Sequence, residues 1–128
     1  DLIVLISEED HPTLIRDGNN LHYDHYISFA DAALGVKSEI PTINGKVKIQ
    51  LDKGIQSGKI LRLKSKGIPS VNGYGKGDLL VHVNVWTPQN LSKAEVKFFE
   101  TCKNSETFTP NPSKNEKSFF DKVKEMFG

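Results

Sequence analysis

Strict alternation of apolar and polar residues, repeated in separate segments, constrains the fold of this 128-residue chain more than any other feature. Successive side chains of a β-strand point to opposite faces, so a period of two predicts a strand with one buried face. In residues 79–86 one side carries Leu79, Val81, Val83 and Val85, while His82 and Asn84 occupy the other. In residues 21–29 the two sets are Leu21, Tyr23, His25, Ile27 and Phe29 against His22, Asp24, Tyr26 and Ser28.

A β-hairpin is predicted between these two strands. Residues 36–43 and 46–51 form strand-like runs, and Asn44-Gly45 separates them. Asn-Gly is typical of a two-residue type I′ turn, because both central residues of that turn need positive φ. With this loop Ile43 faces Lys46, and one face carries the pairs Thr42 with Val47, Ile40 with Ile49 and Ser38 with Leu51.

Weaker local signals complete the β-rich part of the chain. Residues 2–6 and 60–64 predict two further strands, whereas the turn-rich stretch 8–20 predicts a connector. Ser28 followed by Asp31 resembles a capping box, which predicts a short helix from Phe29 to Leu34. Gly35 follows that helix and can take the positive φ that ends it.

Two amphipathic helices are predicted toward the end of the sequence. Ser92 and Glu95 form a Ser-x-x-Glu capping box, which begins a helix that reaches about Cys102. Residues 104–112 read as a flexible linker. The second helix begins after Ser113, and its apolar stripe consists of Phe119, Phe120, Val123, Met126 and Phe127.

The aromatic residues of these helices need a surface that buries them. Docking on the β-rich part of the same chain is one interpretation, and burial against a second protomer or a bound client is the other. A membrane-surface helix over residues 113–127 is disfavoured, because its charges are mixed and it has no Trp.

Composition excludes several classes of protein. Lys and Arg total 17 against 16 for Asp and Glu, and this balance disfavours a dedicated nucleic-acid binder. The single cysteine, Cys102, excludes an internal disulfide and a multi-thiolate metal site, and it fits a reducing, cytoplasmic setting. The longest apolar run, residues 2–6, is too short to span a membrane. A strand-like run directly after Asp1, with no initial Met, predicts that the chain is a piece of a longer polypeptide.

No enzymatic or metal-binding constellation is predicted. The glycine-rich stretch 67–78, "GIPSVNGYGKGD", leads into a strand, whereas a phosphate cradle leads into a helix whose amino end holds the anion. It therefore predicts a strand connector built from glycines. His22 and His25 lie three positions apart on a strand and hence on opposite faces, which is the wrong geometry for a shared metal ion.

The order of motifs resembles the carboxyl-terminal region of DnaJ-type J-domain co-chaperones. The similarity runs from Asp1 to about Lys103. The segments that carry it are "HPTLIRDGNNLHYDHYISFADAALG", "EIPTINGKVKIQL" and "GIQSGKILRLKSKGIPSVNGYGKGDLLVHVNVWTPQNLS". The family's cysteine-rich CxxCxGxG repeats do not occur in this sequence.

The resemblance implies a mainly β fold, with a β-sandwich-like peptide-binding domain, one short internal helix and terminal amphipathic helices. It divides the chain into the last strand and connector of a preceding domain (1–20), a second carboxyl-terminal β-domain (21–90), a dimerisation helix (91–103), a linker (104–112) and a terminal amphipathic helix (113–128).

Site residues follow from the same resemblance, position by position. The client-binding positions it implies are Leu14, Tyr23, His25, Ile40 and Thr42. The dimerisation positions expected on the first terminal helix are Val96, Phe98, Phe99 and Cys102. No catalytic residue and no metal ligand are expected in this chain.

The implied function is that of a non-enzymatic, cytoplasmic stress-response module. It would bind unfolded client polypeptide, form a homodimer and help deliver clients to a DnaK-type ATPase, without contact to nucleic acid or membrane. No cofactor is expected in this fragment, since zinc would belong to the missing cysteine-rich region. A purely structural dimerisation scaffold, with client binding in the missing domain, is the alternative.

Overall fold

The computed structural model describes residues 2–6 and 13–112, with side chains described from residue 13 onward. The fold is mainly β and has two sheets, which confirms the predicted fold class. The predicted helix at 113–127 lies outside the described residues. The elements are β1 (Leu2–Ile6), β2 (Leu14–Asp17), β3 (Asn20–Ser28), α1 (Phe29–Leu34), β4 (Val36–Thr42), β5 (Gly45–Leu51), β6 (Ile60–Leu63), β7 (Leu79–Trp86), α2 (Lys93–Cys102) and a 3₁₀ helix (Glu106–Phe108).

The larger sheet has the strand order β1-β2-β3-β7-β6. Its central pair, β3 and β7, is parallel, and the other three pairs are antiparallel. Leu21 is the register partner of Leu79 and Tyr23 that of Val81, so the alternation of both strands places their apolar residues on one face. This inner face confirms the strands and the buried sides predicted from the sequence.

The second sheet is the β4–β5 hairpin, whose apolar side belongs to the same core as the larger sheet. Ile40 and Leu51 have exposed fractions of 0% and 1%. Burial of each such side chain stabilises a fold by about 1.5–3 kcal/mol. The described core residues that are buried are Leu14, Leu21, Ile27, Ala32, Ile40, Leu51, Leu79, Val81 and Val83.

The predicted register of the hairpin is wrong by two positions. Ile40 pairs with Val47 rather than with Ile49, and Val36 pairs with Leu51. Ile43 and Asn44 form the loop, and Asn44 does not take the positive φ that a type I′ turn needs.

The loop thus lies one residue earlier than predicted, which moves every partner by two positions and keeps each side chain on its predicted face. The observed register pairs all residues of β4, including Val36, whereas the predicted one would place Val36 beyond the end of β5.

The connector predicted over 8–20 is wrong for Leu14–Asp17, which forms β2. This strand is short but pairs with β1 on one side and β3 on the other. Leu14 is fully buried, so a single apolar anchor and two neighbouring strands hold a sequence that is otherwise rich in turn formers. Gly18 follows β2 with a φ of 64° and turns the chain into β3.

Local capping signals are confirmed in α1. The Ser28 hydroxyl accepts a hydrogen bond from the Asp31 backbone N–H at 3.0 Å. Gly35 ends the helix with a φ of 86°, and a Cβ there would lie 3.2 Å from the Leu51 carbonyl oxygen. Glycine is therefore required at this position by both backbone conformation and the close approach of β5.

The chain divides into two compact units, with the boundary in sequence between Pro88 and Gln89. The first contains both sheets. The second contains α2 and, within the segment predicted as a linker, a 3₁₀ helix that the sequence pattern did not predict.

Candidate functional site

The glycine-rich loop 67–78 is a small hairpin that connects β6 to β7. The Ile68 carbonyl accepts a hydrogen bond from the Gly77 N–H at 2.9 Å, and the Gly75 carbonyl accepts one from the Ser70 N–H at 3.0 Å. The backbone N–H groups named here thus bond within the loop and do not converge on a ligand. This arrangement agrees with the predicted strand connector.

Two glycines of this loop allow a close approach of the β2–β3 turn. A Cβ at Gly77 would overlap the Asn19 carbonyl, and a Cβ at Gly67 would lie 2.5 Å from the same oxygen. That carbonyl also accepts a hydrogen bond from the Ile68 N–H at 2.8 Å. The base of the loop is therefore fixed to the turn between β2 and β3.

The tip of the loop is exposed and has different requirements. Gly73 and Gly75 take positive φ values of 79° and 70°, and a Cβ at either would meet open space. Val71 precedes them and Tyr74 lies between them, with exposed fractions of 98% and 84%. The tip thus presents two apolar side chains on a tight turn.

Asp78 fixes the other side of the loop base. Its carboxylate accepts hydrogen bonds from the Ser65 backbone N–H at 3.0 Å and from the Arg62 guanidinium at 2.5 Å. Both bonds lower the pKa of Asp78 below its ordinary value, and the bond from Ser65 has the larger effect. Ser65 is the one non-glycine residue with positive φ in the described chain, so this carboxylate supports an unusual backbone conformation.

The inner face of the large sheet carries two of the predicted client-binding residues next to each other. The rings of Tyr23 and His25 stack with their centroids 5.8 Å apart. Both are half-buried, and this burial raises the pKa of Tyr23 and lowers the pKa of His25. The Nε2 atom of His25 is buried without a hydrogen-bond partner, so the neutral form of the ring is favoured.

The other predicted client-binding residues differ in accessibility. Leu14 and Ile40 are fully buried core residues, while Thr42 is half-buried at the end of β4, beside the hairpin loop. The side chains available to a bound peptide in this set are therefore Tyr23, His25 and Thr42. The client-binding role of all five residues stays a prediction.

The outer face of the large sheet contains a polar cluster that sequence reasoning missed. His22 Nδ1 lies 2.7 Å from His82 Nε2, and His22 Nε2 lies 3.3 Å from Asp17 Oδ2. His22 and His82 are 60 positions apart and meet only because β3 and β7 are neighbours. The available signal was the outward position of both histidines in their alternating strands.

The predicted self-association helix, α2, is well capped. The Ser92 hydroxyl accepts from the Glu95 N–H at 3.2 Å, and the Glu95 carboxylate accepts from the Ser92 N–H at 2.8 Å. These bonds confirm the predicted capping box and lower the pKa of Glu95. The helix is thus fixed at its start by its own sequence.

No residue of α2 is buried. Val96 and Phe98 have exposed fractions of 41% and 58%, and Phe98 contacts Phe99 edge to face with ring centroids 5.5 Å apart. Cys102 is a free, half-buried thiol. An open cleft of about 330 Å³ runs along this unit and is lined by Leu91, Val96, Phe99, Glu100, Lys103 and Phe108.

Within residues 13–112, no group of three or more His, Cys, Asp or Glu side chains is arranged to hold a metal ion. Among the described helices, none is long and apolar enough to cross a membrane.

The described chain thus combines a mainly β unit with a capped helix that carries exposed apolar residues, and comparison with known proteins gives its family. The model of the "DnaJ C terminal domain" family matches residues 1–88. The chain therefore belongs to the DnaJ C-terminal domain family. This family consists of non-enzymatic co-chaperones, which confirms that the chain is not an enzyme.

Curated relatives carry the same family name. The chain is 52% identical over 127 residues to the chaperone protein DnaJ of Bacteroides fragilis (strain YCH46), covering 99% of this chain and 32% of the relative. It is 40% identical over 129 residues to that of Salinibacter ruber and 44% identical over 130 residues to that of Chlamydia pneumoniae, covering 99% of this chain and 33% of each relative. The chain thus spans about a third of the length of these chaperones.

Proposed function

We propose that this chain is the client-holding and self-associating module of a DnaJ-type co-chaperone. In this role it binds unfolded polypeptide, forms a homodimer and helps deliver clients to a DnaK-type ATPase. The observation that carries the proposal is α2, a capped helix with no buried residue and with Val96 and Phe98 open to solvent. Exposed apolar faces of this kind mark surfaces that contact other proteins.

Self-association is the first part of the proposal. Val96, Phe98, Phe99 and Cys102 lie on α2, and burial of their apolar surface against the same surface of a second copy would satisfy a two-fold interface. The capping box fixes the start of the helix before association, so less conformational entropy is lost when the interface forms.

Client binding is the second part of the proposal. Among the described strands, β4 and β5 pair only with each other, so each has a free edge to which an extended peptide can add by main-chain hydrogen bonds. Thr42 lies at the end of β4, and Tyr23 and His25 provide half-buried side chains on the inner face of the large sheet. Leu14 and Ile40 would support this surface from the core. The polar character of His25 and Thr42 predicts modest affinity.

The same polar character favours the alternative function, a purely structural dimerisation scaffold. A surface with an unpartnered His25 nitrogen is a poor environment for an apolar client side chain. In that case client affinity would reside in the missing first domain, and the exposed face of α2 would serve assembly alone.

The proposal also covers the cellular setting. A stress-response co-chaperone of this kind acts in the cytoplasm, requires no cofactor for client binding in this fragment, and has neither nucleic acid nor membrane as a partner. The near balance of 17 basic and 16 acidic residues supports the absence of a nucleic-acid partner.

Titration with a fluorescently labelled, permanently unfolded polypeptide separates the two functions. A client-holding module gives a saturable rise in anisotropy, and Tyr23→Ala should weaken binding by about tenfold because it removes a large half-buried contact. Tyr26→Ala is the matched control, since Tyr26 lies on the same strand but is exposed on the opposite face. No saturable binding by the parent chain would favour the scaffold, and equal loss in both variants would remove the proposed face.

Sedimentation equilibrium tests self-association independently. The chain should have the mass of a dimer, whereas a variant truncated after Asn90 should have that of a monomer. Phe98→Glu should also shift the chain toward monomer, because it places a charge in an apolar contact. Lys93→Glu, at the exposed start of the same helix, should leave the dimer intact. A monomeric parent chain would overturn the proposed self-association.

A further inference from the structure

The His22–His82 pair brings two imidazole nitrogens together at an accessible surface. Nδ1 of His22 and Nε2 of His82 are 2.7 Å apart, and the ring centroids are 5.0 Å apart. The His22 side chain retains 26% of its exposed surface, so solutes can reach it. Nothing in the co-chaperone role requires two histidines to converge on this face.

Asp17 determines the tautomer and the orientation of the His22 ring. Its carboxylate oxygen lies 3.3 Å from His22 Nε2, which is the ring nitrogen turned away from His82. In the neutral ring the Nε2–H donates to Asp17, and the lone pair of Nδ1 then points at His82. A carboxylate that accepts the distal N–H is the usual support of a metal-binding histidine, since it fixes both tautomer and ring orientation.

The geometry assigns His22 and His82 as a two-histidine site for a late first-row divalent cation such as Zn²⁺ or Ni²⁺, with Asp17 as its positioning residue. Metal–nitrogen bonds of about 2.0–2.1 Å at a tetrahedral angle place two ligand nitrogens about 3.3–3.4 Å apart. The present separation of 2.7 Å reaches that value by a small rotation of the two side chains. The cation replaces the proton shared by the two nitrogens, and neutral His82 carries its own proton on Nδ1 instead.

The spacing of histidines in the sequence does not predict this site. The histidine nearest to His22 in sequence, His25, lies on the opposite face of the strand, and His82 is 60 positions away. The pairing of the parallel strands β3 and β7 brings His82 to His22 as the second ligand. The direct register partner of His82 is Asp24, so the two histidines meet diagonally. Pairs displaced by two positions across a sheet are within reach of such long side chains.

The ligand set predicts which ions bind. Among the described side chains only these two imidazoles converge, so water completes the coordination shell. Imidazole nitrogen selects late transition metals over Mg²⁺ and Ca²⁺, which prefer oxygen ligands, and affinity should increase from Zn²⁺ or Ni²⁺ to Cu²⁺. A bound cation would link β3 to β7 across the centre of the larger sheet and hence stabilise the folded chain selectively.

Isothermal titration of the chain with ZnCl₂ and NiCl₂ tests the proposal, with MgCl₂ as the hard-cation control. The expected result is saturable binding of one transition-metal ion and none of Mg²⁺. His22→Ala and His82→Ala should each weaken binding at least about tenfold, and Asp17→Asn should weaken it by about 10–100-fold while leaving one ion bound. His25→Ala is the matched control, because it removes an imidazole of the same strand from the opposite face and should leave the titration unchanged.

Thermal unfolding without metal shows whether each variant is folded, and His82→Gln replaces His82→Ala if the latter is not. Imidazole ¹⁵N shifts give a second readout, with His22 Nδ1 and His82 Nε2 as the nitrogens that should respond to Zn²⁺. Binding that survives in both His22→Ala and His82→Ala, or that is lost equally in His25→Ala, would overturn the assignment. Absence of saturable binding by the parent chain would overturn it as well.

Discussion

The unit up to Pro88 and the unit from Gln89 onward differ in how far their apolar side chains are buried. In the first, inward-facing aliphatic residues of both sheets form one buried cluster, with Leu21 and Leu79 fully removed from solvent. In the second, no residue of α2 is buried, and Phe98 keeps 58% of its surface exposed. A buried cluster stabilises its own unit, whereas an exposed apolar helix is available to another surface.

The largest effect in this comparison is expected at Gly77, within the first unit. Gly77→Ala should destabilise the fold by more than about 4 kcal/mol or prevent folding, because the added Cβ overlaps the Asn19 carbonyl. Gly73→Ala, in the same loop, should cost only about 1–2 kcal/mol, since its cost is the positive φ alone. Urea unfolding followed by fluorescence of the single Trp, Trp86, measures both, and equal stabilities would show that the loop base can move away.

The next effect compares the two units directly. Leu79→Ala should lower the free energy of unfolding by about 2–5 kcal/mol, because it leaves a cavity in the core. Phe98→Ala should change the same quantity by no more than about 0.5 kcal/mol, since it alters an exposed residue outside that core. Urea unfolding at protein concentrations below dimer formation provides the measurement. A large loss in Phe98→Ala would mean that α2 contributes to the core of its own chain.

A smaller and local effect is expected at the start of α2. Ser92→Ala removes the hydroxyl that accepts from the Glu95 N–H and should destabilise the helix by about 1 kcal/mol. Hydrogen exchange of the α2 amides should accelerate by roughly fivefold, while the core amides of β7 stay protected. Ser92→Asp retains an acceptor at the cap and should exchange like the parent chain. Uniform acceleration in both units would indicate that they unfold together.

The smallest effect concerns pH and the inner face of the first unit. Burial lowers the pKa of His25, so the unfolded chain binds a proton at this residue more readily than the folded chain does. Stability should therefore fall as pH decreases below about 6.5, the ordinary value for histidine, and level off below the lowered pKa of the folded state. His25→Gln should reduce this fall when urea unfolding is compared at pH 7.5 and 5.5. An unchanged slope would show that the ring protonates equally well in both states.

Local features of this fold could be predicted from the sequence because their causes lie within a few residues. The caps at Ser28 and Ser92 are examples, since donor and acceptor are three positions apart. The faces of β3 and β7 were also predictable, because burial imposes the alternation. The family was predictable for a related reason, as its motifs extend through most of the chain.

Features that depend on partners distant in sequence were not predictable to the same extent. The predicted and the observed register of the β4–β5 hairpin place every side chain on the same face. Only the observed register pairs Val36 with Leu51, and this pairing distinguishes the two. β2 has too few apolar residues to be identified before its neighbouring strands are known. The His22–His82 contact requires the adjacency of β3 and β7, which no local pattern specifies. Likewise, the complete burial of Leu14 and Ile40 depends on how the two sheets meet.

The parallel pairing of β3 with β7 also has a consequence for how the chain is made. Leu21 leaves the ribosome 58 positions before its register partner Leu79. At synthesis rates of about 5–20 residues per second, this edge of β3 waits roughly 3–12 seconds for its partner. During that interval a nascent strand lined with Leu21, Tyr23 and Ile27 is open to wrong pairing. A chain of the chaperone family is thus itself, for some seconds of its synthesis, the kind of unfinished polypeptide that chaperones receive.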